Sequence, residues 1–197
     1  MVYASMMDMD MGIESEVDKG KVTIAETAVV SSDVVFNGPY PVEIGEGTVV
    51  NPKCEFRANG GPIVVGKNNL IEERTLIENP SYGNGNSGCV LQIGSLNIFQ
   101  VGSQFKGKLV GDANVFETKS SVDPGCTVGT GCVVGATSIL KTNTDLSDSH
   151  VAYRYTSSLT GACQNTTIIR KAKRLKQQNI ANISEYIDKV REKLARK

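Results

Sequence analysis

A step of six residues runs through most of this chain, and neither a helix nor a plain strand repeats at six. It is clearest in VDPGCTVGTGCVVGATSIL, where Val122, Val128, Val134 and Leu140 fall six apart. Gly129 and Gly135 directly follow two of these residues, and Cys126, Cys132 and Ser138 fall four places after the first three. The step extends backward through Val110 and Phe116, then through Ile93, Phe99 and Phe105, Val65, Ile71 and Ile77, Ile44, Val50 and Phe56, and Ile24, Val30 and Phe36. It weakens toward Leu146 and Val151. Fixed-period self-similarity implies a solenoid. Six residues make one short strand and a corner, and three such units close a triangular coil. The residue opening each unit points inward, as does the one four places later, and the rest face solvent. On this register Thr130 takes an outward corner slot.

The reading is therefore an all-β solenoid of about six to seven triangular coils with parallel strands. Its irregular steps fall at loops: NGPYP after Phe36, NGGP after Phe56, and NPSYGNGNSGC from Asn79 to Cys89. The register stacks Asn69, Asn97 and Asn114 in one inward column, which predicts a ladder of satisfied amides. It also places Phe99 under Phe116 and Phe36 under Phe56. Cys54, Cys126 and Cys132 take small inward slots and read as core fillers.

Composition sets the ends apart from the body. Residues 170–197 hold ten basic and three acidic side chains, so a chain of zero net charge is an acidic body with a basic tail. Residues 1–20 read as a flexible acidic tail, 21–155 as the solenoid, and 156–197 as a linker with a basic amphipathic helix or helices. In that last segment Ile180, Ile183, Ile187, Val190 and Leu194 step by three or four and form one apolar stripe. The stripe is expected to pack along one side of the solenoid, and the alternative is docking on another protein. The five cysteines include no CxxC pair, and no apolar run approaches membrane-spanning length. With no apolar signal core in the first twenty residues, a cytoplasmic location with reduced thiols is expected.

Three segments carry a family resemblance: IGEGTVVNPKCEFRANGGPIVVGKNNLIEERTLIEN, IGSLNIFQVG and VGDANVFETKSSVDPGCTVGTGCVVGA. They resemble the hexapeptide-repeat proteins of the γ-carbonic-anhydrase-like branch, and within it the dynactin pointed-end subunits. The resemblance implies that the helix is left-handed, against the usual rule for parallel crossovers. It also implies a non-catalytic, cytoskeleton-associated subunit that supports dynein-driven transport along microtubules. The implied partners are dynactin subunit 5, other pointed-end subunits including the actin-related protein, and cargo adaptors indirectly. No cofactor, nucleic acid or inserted membrane segment is implied.

The enzymes of this branch hold a metal with three histidines. Aligned by the resemblance, those positions hold Glu78, Val101 and Lys106, a carboxylate, an alkyl group and an ammonium group. Arg57 matches an arginine of the family, and Glu72 and Glu73 replace its Gln-Asp pair. Arg57 is expected to pair with a carboxylate across a coil or subunit boundary. The related acyltransferases need a histidine base, and the single histidine here is His150. The alternative reading is nonetheless an active γ-carbonic-anhydrase-like or acyltransferase enzyme with unconventional residues. Arg57, Lys173 and Arg174 are the candidate protein-contact residues.

Overall fold

The computed structural model of the chain describes residues 20–81, 88–154, 167–171, 184–190 and 192. Within them, short strands form three sheets of seven, eight and six strands. Parallel pairing between successive coils builds each sheet. The first sheet stacks Ile24, Ile44, Val65, Ile93, Val110, Val128 and Leu146 in register. The second stacks Val30, Val50, Ile71, Phe99, Phe116 and Val134, and the third Phe36, Phe56, Ile77, Phe105, Val122 and Leu140. This is the six-residue register of the sequence, coil for coil. At its fading end the second sheet continues through Ala152, which pairs with Val134, while Val151 faces outward. A six-residue step from Leu146 lands on Ala152, and the small side chain there hides the repeat from a search for aliphatics.

The inward side chains form one continuous core along the prism axis. Phe99 and Phe116 stack with ring centroids 4.5 Å apart, and Phe105 meets both edge-on. Phe36 stacks on Phe56 at 5.2 Å. Such pairs add to the burial of apolar area. The core thins at the N-terminal end, where no described coil covers the first one. Ile24 is 44% exposed, whereas Ile44, one coil deeper in the same slot, is 2% exposed.

The asparagine column is a ladder, and the backbone is its second partner. The Asn69 amide donates to Gly94 O at 2.9 Å and accepts from Asn97 N–H at 2.8 Å. Asn97 donates to Gly111 O and accepts from Asn114 N–H, and Asn114 accepts from Cys132 N–H. Each buried amide thus satisfies itself and ties one coil to the next. A second ladder runs outside. Lys67 N–H donates to Ser95 Oγ, Ser95 N–H to Asp112 Oδ1, Asp112 N–H to Thr130 Oγ1, and Thr130 N–H to Asp148 Oδ1. Thr130 is outward, as its slot requires, but its hydroxyl is a rung and not a free surface group.

The corners leading to the third face hold Lys53, Arg74, Gly102, Lys119 and Thr137, all with φ between 56° and 69°. Four of these five are non-glycine residues in the left-handed region, held there by the coils stacked against them. The three loops all leave the prism at the corner between the third face and the first. Asn79 closes the longest of them, donating to Pro62 O at 3.0 Å and Cys89 O at 2.8 Å.

Beyond Arg154 the segment 156–197, read as linker and helix, also holds a strand. Thr167–Lys171 is a strand, paired antiparallel with His150–Arg154 at the end of the second sheet. Its β-branched run Thr167-Ile168-Ile169 suits an extended chain better than a helix. Residues 184–190 are helical. Ile180, Ile183, Leu194, Lys173 and Arg174 lie outside the described residues.

Val134→Asp is expected to cost on the order of 4 kcal/mol by burying an unpaired carboxylate. Asn97→Leu is expected to cost about 2–4 kcal/mol, because it strands Asn114 N–H and Gly111 C=O. Thr130→Ser, which keeps the accepting hydroxyl, should change stability by less than about 0.5 kcal/mol. Thermal or urea unfolding of the three variants checks the register: equal shifts would contradict it.

Candidate functional site

The outward slot that follows the inward residues of the third face holds Asn37, Arg57, Glu78, Lys106, Asp123 and Lys141 in stacking order. From Arg57 onward the charges alternate down the prism. Opposite charges directly across parallel strands stabilise by a few tenths of a kcal/mol to about 1 kcal/mol each. Two of the three positions aligned with the family's metal ligands belong to this column. The Lys106 ammonium lies 3.3 Å from the Glu78 carboxylate, and both side chains are more than half buried. The third, Val101, sits at the corner before Lys106 and presents its backbone N–H to Glu72 Oε2 at 3.1 Å. The structure therefore brings Glu78 and Lys106 together around an ion pair. A divalent cation does not fit: the one carboxylate already holds a cation, and the valine offers no donor atom.

Arg57 makes a two-pronged contact with Glu55 on its own strand, Nε to Oε1 at 2.7 Å and an Nη to Oε2 at 2.8 Å. The pairing lies within one coil, since residues two apart on a strand share a face. The guanidinium holds the Glu55 carboxyl below its ordinary range, and Glu55 in turn raises Arg57. His150 is turned back on its own loop, with Nδ1 at 3.0 Å from both Ser147 O and Asp148 O. Cys54, Cys126 and Cys132 are buried free thiols whose Sγ atoms donate to carbonyls of the next coil. Burial pushes the Cys54 thiol up to about 11 and raises the other two. These are inert core groups. Cys89 is exposed on the long loop.

The second face carries a feature the sequence reading missed. Its outward residues are Val29, Val49, Leu70, Ile98, Val115, Val133 and Val151, aliphatic in every coil. The matching slots of the first face include Thr23, Glu43, Gln92 and Asp145. An aliphatic outward column was readable as a face that something must cover. The helix 184–190 covers its middle. Ile187 is 1% exposed and packs with Val49, Leu70 and Ile98, flanked by Leu96, Val115 and Val190. The apolar stripe thus docks on its own solenoid, as expected, at the two of its residues that are described. Tyr186 adds a polar tie, its hydroxyl donating to Glu72 Oε1 at 3.1 Å. Partial burial and the Glu72 charge raise the Tyr186 phenol. A shallow cleft of about 280 Å³ opens beside the helix, lined by Asn68, Leu96, Ser184, Ile187 and Asp188.

Among known proteins, the chain is 40% identical over 121 residues to dynactin subunit 6 of Nematostella vectensis, covering 59% of this chain and 65% of that protein. It is 38% identical over 122 residues to dynactin subunit 6 of Xenopus tropicalis, covering 59% and 60%. Against dynactin subunit 6 of Dictyostelium discoideum it is 32% identical over 140 residues, covering 67% of this chain and 69% of the relative. The chain belongs to the dynactin subunit 6 family. No protein-family model matches it. The match spans about 60–65% of the length of the sea-anemone and frog members of the family. Among solved structures, a hexapeptide transferase family protein from Anaplasma phagocytophilum superposes with a TM-score of 0.61 at 14% identity, covering 88% of this chain and 98% of that one. The Bacillus cereus N-acyltransferase AntD gives 0.59 at 15% identity, covering 86% and 91%. At these identities the likeness establishes the fold, a left-handed parallel β-helix, for this member of the dynactin subunit 6 family.

Lys106→Glu should set a carboxylate between Glu78 and Asp123 and lower stability by about 1 kcal/mol. Adding Glu78→Lys should restore part of that loss, and a double-mutant cycle in urea reads the coupling directly. Ile187→Ser should cost about 2–3 kcal/mol by uncovering the aliphatic column. Tyr186→Phe should cost no more than about 1 kcal/mol. An Ile187→Ser chain that unfolds like the parent would show that the helix does not stabilise the isolated protein.

Proposed function

We propose that this chain is a non-catalytic subunit of the dynactin complex, seated in its pointed-end assembly beside dynactin subunit 5 and near the actin-related protein. In that setting it serves dynein-driven transport along microtubules and supports binding of cargo adaptors in the cytoplasm. The observation that carries this reading is the Glu78–Lys106 ion pair at the place where related enzymes hold a metal. The ion pair there ties one coil to the next and leaves no set of donor atoms to hold a metal. Similarity to proteins named dynactin subunit 6 supplies the complex. A rigid prism with flat faces suits an assembly part, since its surfaces need no rearrangement to be recognised.

The basic segment beginning at Arg170 is the proposed contact with a neighbouring subunit, with Lys173 and Arg174 on it. Affinity capture of the tagged full-length chain from cytosol, followed by identification of stoichiometric partners, tests the proposal. Dynactin pointed-end subunits are expected in the eluate, and Lys173→Glu with Arg174→Glu should reduce their recovery without lowering the melting temperature. Recovery of about one zinc or iron per chain together with carbon dioxide hydration would overturn the non-catalytic reading. Capture that contains no dynactin subunit would overturn the assignment to the complex.

A further inference from the structure

The third face of the prism is complementary to itself. Its outward residues form two columns, Val35, Glu55, Leu76, Gln104, Ser121 and Ile139, and Asn37, Arg57, Glu78, Lys106, Asp123 and Lys141. Coils pair here without a slip, so both columns run straight down the prism. Val35, Asn37, Gln104 and Lys141 are exposed, and the Arg57 and Lys106 side chains are 40% and 32% exposed. The second column alternates in sign from Arg57 to Lys141. Such a column matches an inverted copy of itself only in particular registers. Let a second copy face it with the prism axis reversed, about a two-fold axis that runs along the strands midway between Glu78 and Lys106. Arg57 then lies opposite Asp123 of the second copy, Glu78 opposite its Lys106, and Lys141 opposite its Asn37. Sliding the copy by one coil sets Glu78 on Glu78 or on Asp123, and Arg57 on Lys106 or on Lys141. Running the copies in the same direction sets Lys106 on Gln104 and Lys141 on Ile139, away from any carboxylate in these columns. Charge arranged in this way selects one register by penalising the others.

The corners beside this column select the same register. The step from the third face to the first takes eight residues after Phe36, nine after Phe56 and sixteen after Ile77, but five after Phe105 and six after Val122 and Leu140. The inversion sets the corner after Ile77 against the one after Phe105, Phe56 against Val122, and Phe36 against Leu140. Every enlarged corner meets a tight one, and the longest insertion leaves opposite the shortest turn. At the centre the two Glu78–Lys106 ion pairs, each closed at 3.3 Å, meet as a square of alternating charge. Arg57 uses Nε and one Nη on Glu55, and a guanidinium keeps further N–H donors for a second carboxylate. The chain has zero net charge, so no overall repulsion opposes the approach of two copies.

We propose that the third face is a self-association surface, on which two copies of this chain pack face to face with their prism axes antiparallel, Arg57 against Asp123 and Glu78 against Lys106. Strands about 4.8 Å apart and about 17 Å long make the six-stranded face roughly 500 Å² in area. That is small for a specific interface, so the dimer is reversible. Its charge pairs lie at the protein surface, so it is sensitive to salt. The helix at residues 184–190 docks on the second face and stays in place when the third is covered.

Sedimentation velocity of the full-length chain tests the proposal. The parent should pass from monomer to dimer as concentration rises, and the concentration of half-association should rise about tenfold or more between about 50 and 500 mM salt. Asp123→Lys sets like charge against Arg57 of the other copy, and Arg57→Asp sets like charge against its Asp123. Each variant alone should associate about tenfold more weakly than the parent or worse. An equimolar mixture of the two should associate about as tightly as the parent, because the substituted positions then face each other with opposite signs. Asp123→Asn, which keeps the size of the side chain, should weaken association about threefold. Glu43→Lys, on the first face, should leave it unchanged. A parent that stays monomeric at every concentration and salt, association that survives Asp123→Lys, or a mixture no tighter than either variant alone would each overturn the proposal. The second outcome would assign association to another surface. These readings use the isolated chain and leave its membership of a larger complex untouched.

Discussion

Each coil of this molecule is completed by the coil next to it. Strand pairing, the stacked phenylalanines, the asparagine ladder and the outer serine, threonine and aspartate rungs all run between coils and none closes within one. A single coil of about eighteen residues has no interior of its own. Stability is therefore a sum of interfaces between neighbours, and a defect in one coil weakens two of them. The strained corners follow from the same dependence. Lys53, Arg74 and Lys119 keep left-handed backbones because pairing on both sides leaves no other route around the turn.

The outer faces divide the remaining work. The first and third are mixed or charged, and the third ties two of its coils together through the Glu78–Lys106 ion pair. The second is aliphatic throughout and acts as a seat for the helix at residues 184–190. On the third face a lysine lies against a glutamate, Lys106 and Glu78 facing each other there across two neighbouring coils.

How much of this was legible depended on whether the signal repeats. The inward columns were readable because Ile44, Val65, Ile93 and their counterparts recur at a fixed step, and the loops were readable as breaks in that step. Ala152 was missed because burial at the end of the stack tolerates a small residue, so hydrophobicity no longer marks the slot. The aliphatic outward column was present in the sequence but required comparing the same slot across three faces, not along one. Pairing of Thr167–Lys171 with the final coil depends on a long-range edge, and the local lysines and arginines obscured its β-branched core. Thr130 shows a further limit: a polar residue at an outward corner gives no local sign that the coil before it donates to its hydroxyl.

All three loops leave the prism at one corner, between the third face and the first. The other two corners keep their six-residue geometry from coil to coil. A triangular prism with equivalent edges would look alike after each third of a turn about its axis, and a partner gripping it from the side could settle in three settings. Gathering the insertions on one edge removes that ambiguity. The looped edge works as a key on a shaft: it gives the rod a unique angular orientation, fixed relative to the helix-bearing face.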